Sequence, residues 1–315
     1  MSPKFSLIIP TYNEERIIQE SLQHILVSTE RSIEVLVVDD STDRTPHLVA
    51  EIAEKDDRVR IIRPSKRLGR SGARNLGIAE SKGNILCILN ADVLMHSTFL
   101  SQIGRHYDNG YESVTVFVKV KNIENMYARY VELWTRFEDS RGEYELRKVK
   151  NCGIYWSEGF SVTKKLALKT SLFPTGGDVH IEAGEDVRFV DELRNNNCKG
   201  IIDLEISIEH IAPESFSEFW KVRKGRGRGT PQLSYYVAKN SIWYIFGRSV
   251  FKCIRNFFMV IVLVPQVIYA IKVVRFSPEK STAEYFKMAF LRSIELVTYS
   301  IGEFEAIKDI VLGRP

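Results

Sequence analysis

Short apolar runs recur along the first ninety residues at spacings that leave room for one helix between each pair, and most of them close on a polar or acidic residue. FSLIIP leads into Asn13 and Glu14, IEVLVV closes on Asp39 and Asp40, and GNILCIL closes on Asn90, Ala91 and Asp92. The strands are expected over residues 5–10, 34–39, 59–63 and 85–90, where short buried runs stand between turn signals. Between them, Asn13 is read as the N-cap of a helix that presents Ile17, Ile18, Leu22, Ile25 and Leu26 on one face, and residues 42–55 and 71–81 carry two more helices. This βαβαβαβ series implies an α/β fold with a mostly parallel sheet and helices on both faces. Acidic residues at the carboxyl ends of such strands converge on one crevice, where a nucleotide and a cation can be held. A further strand over residues 201–209 alternates Ile202, Leu204, Ile206 and Ile208 against Asp203, Glu205, Ser207 and Glu209.

At 315 residues and 44% hydrophobic content the chain is long enough for one large domain with an appendage, and disorder is excluded as its main character. Cys87, Cys152, Cys198 and Cys253 are scattered without zinc or redox spacing, which fits a reducing compartment. The first strand begins by Phe5 with no basic-then-apolar leader before it, so the α/β domain is expected to be cytosolic.

The net charge of +4 conceals an asymmetry. Residues 221–280 hold twelve Lys or Arg and one acid, Glu279, whereas the remainder carries 32 basic and 39 acidic residues. Such a basic block suits nucleic acid, anionic lipid or a diphosphate. The domains are expected at 1–215 for the α/β part, 216–250 for a basic Gly/Arg loop with a connecting helix, and 251–315 for a helical tail. In that tail, residues 257–271 form an apolar run broken by Pro265 and Gln266, too short for a clean membrane crossing, which takes roughly 20 apolar residues. Residues 283–304 read as an amphipathic helix, so monotopic attachment to an anionic membrane surface is the expectation, with packing on the sheet as the alternative.

Taken together, PTYNEE at 10–15, VVDDSTD at 37–43, GRSGARNLGIAESKGNILCILNAD at 69–92 and GGDVHIEAGEDVRF at 176–189 resemble the family 2 glycosyltransferases, which have the GT-A fold. The resemblance covers about residues 5–230 and is similar to polyprenyl-phosphate mannosyltransferase-like membrane enzymes. It implies that Pro10, Thr11, Tyr12, Glu14, Asp39 and Asp40 grip the nucleoside of a nucleotide-sugar, with Asp40 alternatively capping the helix that follows. Asp92 is then the last residue of the family's DxD motif and the expected ligand of Mg2+ or Mn2+, with His210 a candidate third contact. The motif departs from the family at its first position, where Asn90, followed by Ala91, offers an oxygen without a charge. Arg70 and Arg74 are candidates for the phosphates, Arg74 alternatively being a surface residue.

Transfer to a sugar hydroxyl needs a base, and the resemblance gives that role to Asp186, with Glu185 positioning the acceptor. One displacement with one base implies inversion at the anomeric carbon. Arg223, Lys224, Arg226 and Arg228, interleaved with glycines, read as a mobile loop that closes over the diphosphate or captures a lipid phosphate. Contact with nucleic acid is not expected, because no RNA-binding signature accompanies the run. Trp134, Tyr155 and Trp156 are candidates to stack on an acceptor sugar or to fill the core.

The expected activity is inverting, metal-dependent hexosyl transfer, mannose from GDP-mannose being favoured, to a lipid-linked, glycan or membrane-proximal acceptor. The alternatives are a polyprenyl-phosphate hexose synthase using UDP-glucose or GDP-mannose, a nucleotidyltransferase, and a catalytically inactive membrane scaffold.

Overall fold

The computed structural model describes residues 3–141 and 158–314, so Cys152, Tyr155 and Trp156 lie outside the described residues. Its first half runs β1 (Phe5–Thr11), α1 (Ile18–Leu26), β2 (Ile33–Asp39), α2 (Thr45–Ala53), β3 (Val59–Ile62), α3 (Gly69–Glu80), β4 (Ile85–Ile88), β5 (Val93–Leu94), α4 (Phe99–Asp108), β6 (Ser113–Val120) and α5 (Met126–Arg141). Next come β7 (Phe160–Thr163), α6 (Lys164–Ala167), α7 (Glu185–Asn195) and β8 (Gly200–His210), followed by α8 (Phe216–Gln232), α9 (Ile242–Val262), α10 (Val264–Val274) and α11 (Thr282–Val311). A π-helical turn over Leu233–Val237 extends α8 past Pro231.

Two compact units result, one built from residues 3–119, 158–174 and 185–210, the other from residues 120–141, 175–184 and 211–314. The inclusion of residues 120–141 and 175–184 in the second unit departs from the sequential 1–215, 216–250 and 251–315 division.

In the first unit the eight strands lie in the order β3-β2-β1-β4-β7-β6-β8-β5. Strands β3, β2, β1 and β4 are parallel, as the alternating pattern requires. From β4 the sheet continues antiparallel into β7 and β6, with β8 and β5 also paired antiparallel at its far end. Successive residues of β1 serve opposite faces, as strand geometry dictates. Leu7 and Ile9 join Ile18, Leu22, Leu48 and Ile103 on one side, while Ile8 joins Ile78, Leu166, Phe189 and Leu193 on the other. Helices α1, α2 and α4 therefore cover one face, and α3, α6 and α7 cover the other. Close approach of α3 needs Gly77, where a Cβ would stand 2.5 Å from Ile8 Cγ2.

Asn13 does not cap α1. It adopts φ +61, a conformation asparagine tolerates better than most residues, and its Oδ1 accepts the Thr42 N–H at 2.9 Å. Helix α1 begins only at Ile18, after the Glu14 carbonyl has accepted the N–H groups of Ile17 and Ile18.

The second unit is helical. Tyr130, Leu133 and Phe137 of α5, Phe219 of α8, Ala270 and Val273 of α10, and Met288 and Leu291 of α11 form its core. Helix α11 is central to this packing rather than lying wholly on a surface, and the reason is in its acids. Buried Glu284 pairs with Arg129 at 2.7 Å, Glu295 with Arg223 at 3.1 Å and with Arg292, and Glu303 with Lys252.

Candidate active site

The first unit brings the sequence-marked residues to the carboxyl end of its parallel strands. Thr11 pairs in register with Asp39, and Ile8 with Ile88, so the ends of β1, β2 and β4 lie side by side and the turn carrying Asn90, Ala91 and Asp92 leaves from the same edge. Pro10 is the penultimate residue of β1, and Thr11 donates from Oγ1 to Asp39 Oδ1 at 2.8 Å. The other oxygen of Asp39 is buried without a hydrogen-bond partner among the described residues, although Arg63 Nε stands 3.3 Å away. Beyond β1, Tyr12 is 41% exposed and carries the Arg67 guanidinium 3.8 Å from its ring centroid. The Glu14 N–H donates to Thr45 Oγ1 at 2.9 Å.

Asp40 does not cap the helix that follows it. Its Oδ2 accepts the N–H groups of Leu68 and Gly69, at 2.9 and 2.8 Å, and so anchors the start of α3. Gly69 sits at φ +67, a conformation that glycine takes without cost. Through this anchor Arg70 and Arg74 on α3 are aimed at the strand ends.

Arg74 is fully buried, which rules out the surface alternative. It donates from Nη1 to Glu185 Oε1 at 2.9 Å and from Nη2 to Asn90 Oδ1 at 3.0 Å. Arg70 is half-exposed and lies 3.5 Å from the same Glu185 oxygen. Glu185 and Asp186 open α7. Burial works against the Glu185 charge, but Arg70 and Arg74 together hold that carboxyl below its ordinary value. Asp186 behaves oppositely. Burial, then the charges of Glu185 and Glu158, push it up to about 6 against the opposing pull of Arg74.

Asn90 uses both ends of its amide, accepting from Arg74 and donating from Nδ2 to Glu158 Oε1 at 2.8 Å. Sequence reasoning missed Glu158, because β7 was not foreseen. The β4–β7 ladder places Ile88 opposite Phe160, so two residues further on position 90 faces position 158. Asp92 completes the group. Its Oδ2 lies 3.1 Å from His210 Nε2 at the end of β8, and its Oδ1 is buried without a partner among the described residues. Burial opposes the Asp92 charge, yet His210 and, more weakly, Arg70 hold its carboxyl below the ordinary range.

The basic run is not a loop. Residues 223–228 belong to α8, and in the second unit these arginines are engaged internally. Arg223 is buried against Glu295, Arg226 lies over the Trp134 ring, Lys224 pairs with Glu305, and Arg228 pairs with Glu182 and Asp309. Glycine serves close packing here instead of hinge freedom. A Cβ at Gly227 would strike the Tyr299 carbonyl, and one at Gly302 the Lys224 carbonyl.

Among the described residues no group of three or more His, Cys, Asp or Glu could hold a metal by itself. Asp92 with His210 nonetheless fits a cation whose remaining ligands come from phosphate oxygens, since Mg2+ is commonly held by one or two carboxylates plus substrate phosphates. The orphaned Asp92 Oδ1 is the observation that favours it.

Residues 6–169 match the profile of glycosyl transferase family 2. A GalNAc(5)-diNAcBac-PP-undecaprenol beta-1,3-glucosyltransferase of Campylobacter jejuni is 25% identical over 173 residues, 54% of this chain and 55% of that one. Glycosyltransferase GlyG of Streptococcus pneumoniae is 31% identical over 104 residues, 33% of this chain and 35% of its own. Four of the first curated relatives are matched over only 23% to 35% of their length. In three dimensions the chain is similar to the mannosyltransferase PcManGT of Pyrobaculum calidifontis, solved with GDP-Man and Mn2+, at a TM-score of 0.56, 17% identity, and coverage of 100% of this chain and 77% of that one. This likeness shows the GT-A fold.

Proposed function

The chain belongs to glycosyl transferase family 2, and from that premise we propose that it transfers a hexose, with inversion, from a nucleotide-sugar to a hydroxyl of a lipid-linked or membrane-proximal acceptor. The observation that carries this reading is the divergence of two adjacent carboxyls. Glu185 is held ionised by two arginines, while Asp186 is raised to about 6, a value suited to a general base near neutrality.

The acceptor oxygen attacks the anomeric carbon as the bond from that carbon to the diphosphate oxygen breaks. The electron pair leaves on the nucleoside diphosphate, and the acceptor proton passes to Asp186. Glu185 keeps one oxygen in the arginine pair, and its second, buried without a hydrogen-bond partner among the described residues, faces the acceptor hydroxyl in this reading. Thr11, Tyr12, Glu14 and Asp39 grip the nucleoside, and half-exposed Arg70 faces the phosphates. A divalent cation, Mg2+ or Mn2+, held by Asp92 with His210 would neutralise charge on the departing diphosphate.

Mannose from GDP-mannose is the favoured donor, a choice supported by what PcManGT was solved with. A lipid-linked acceptor is supported by the undecaprenol-linked substrate in the name of the Campylobacter relative, and we infer from such an acceptor that the reaction runs at the cytosolic surface of a membrane. The raised Asp186 favours a hydroxyl over a phosphate acceptor, which arrives already deprotonated and needs no base. Release of GDP from GDP-mannose by the wild type, absent in Asp186→Asn, tests the proposal; equal release by both would refute it.

A further inference from the structure

Helices α9 and α10 meet at Leu263 with a bend of 79°. The sequence dictates the break. A helix continued through Pro265 would lose a backbone donor and clash with the Ile261 carbonyl, and Leu263 turns the chain at φ +59, a strained conformation for a residue with a Cβ. Around this elbow the apolar side chains point outward. Phe257 and Phe258 are 63% and 61% exposed, and Ile261, Val262, Leu263 and Val264 are each more than half exposed.

The charge on the two arms themselves is of one sign, while α11 behind them supplies Glu303 to Lys252. Between Ile242 and Arg275 the chain carries Arg248, Lys252, Arg255, Lys272 and Arg275 and no acidic residue. Exposed Arg255 and Lys272 bracket the apolar tip at its two ends. Behind the first arm, α9 and α11 leave a mainly apolar groove of about 480 Å³, lined by Phe257, Val260, Leu296, Val297 and Ile301 with Glu305 and Lys308 also on its wall, and Phe257 joins it to the tip.

We propose that the elbow is a wedge that enters one leaflet of an anionic phospholipid bilayer without crossing it. No single helix among the described residues is long and apolar enough to span. The arms between Arg255 and Lys272 are seven and eight residues long, roughly 10 to 12 Å each at helical rise, and at a bend of 79° their apex stands roughly 7 Å deep, within the range for burial at the headgroup and acyl boundary. The apolar tip meets the acyl chains, the bracketing cations meet the phosphates, and the groove admits an acyl chain. This inference stands on the second unit alone and is independent of the glycosyl-transfer reading.

The test is flotation of the full chain with preformed vesicles of phosphatidylcholine alone or mixed with phosphatidylglycerol. The wild type is expected to float with the mixed vesicles, much less with the neutral ones, and to come off on dilution. Arg255→Gln and Lys272→Gln should each weaken binding about fivefold, as expected for one charge at an anionic surface, and the double variant Phe257→Ser/Phe258→Ser should not float. Unaltered thermal unfolding in these surface variants confirms that they fold. Wild type that ignores the mixed vesicles, or a double Ser variant that floats undiminished, would overturn the proposal. So would sedimentation showing a dimer that the double Ser variant dissolves, since a second copy would then cover the face.

Discussion

Asn90 and Glu158 face one another two residues beyond the last pair of the antiparallel β4–β7 ladder, joined by a 2.8 Å hydrogen bond from the amide to the carboxylate. The family motif has an acid where Asn90 stands, and the geometry explains the substitution. Position 90 must accept from Arg74 and donate to Glu158 at once, which an amide does and a carboxylate does not.

Asn90→Asp should therefore place two carboxylates against each other and cost about 1–3 kcal/mol, the loss expected when a buried hydrogen bond becomes an unfavourable contact. Glu158→Gln in the same chain should restore the loss, because the amide then stands on the other side. Urea unfolding of the two single variants and the pair measures the coupling, and additive effects would contradict it.

The pH profile follows from Asp186. In the proposed reaction Asp186 must be unprotonated to act as the base, and its carboxyl is raised to about 6, so kcat/KM should fall as pH drops through 6 and level off above it. Glu158 adds to that rise by its like charge, so Glu158→Gln should move the inflection to lower pH. Asp186→Asn should lower turnover by roughly 100-fold or more while donor affinity stays the same.

Arg74 and Arg70 reach the same carboxylate from different environments. Arg74→Met leaves buried Glu185 with its fully buried partner gone and should cost about 3–5 kcal/mol of stability. Arg70→Met, at a half-exposed site, should cost no more than about 1 kcal/mol. Thermal unfolding separates the two, and equal losses would show that Arg74 is not the buried support described here.

Much of this was legible in the chain, because hydrophobic period and strand-end chemistry are local. The runs ending at Asp39 and Asn90 gave β2 and β4 to within two residues, whereas Asp186 was marked only by the family resemblance of the GEDVRF stretch. What depended on distant partners was not legible. Asp40 finds its donors at Leu68 and Gly69, and Glu158 acquires meaning only once β7 runs antiparallel to β4. The Gly/Arg run at 224–229 misled for the same reason: its glycines look like hinges until Gly227 is seen against Tyr299 of α11 and Gly229 against Ala183.

Two helical glycines test that last point. Gly227→Ala would drive a methyl group into the Tyr299 backbone and should cost about 1–3 kcal/mol, the usual range for overpacking. Gly247 faces open space, so Gly247→Ala should be neutral or stabilise by about 0.5–1 kcal/mol through helix propensity. Calorimetric unfolding of both distinguishes packing from flexibility, and a stabilising Gly227→Ala would argue for a hinge.

The central claim is that one crevice at the strand ends holds a nucleotide-sugar together with a cation, and titration calorimetry tests it most directly. Binding of GDP-mannose in the presence of Mn2+ is predicted, weakened when the cation is removed and in Asp39→Ala or Asp92→Asn. Failure of GDP-mannose, UDP-glucose and UDP-GlcNAc alike to bind, with or without Mn2+, would contradict it.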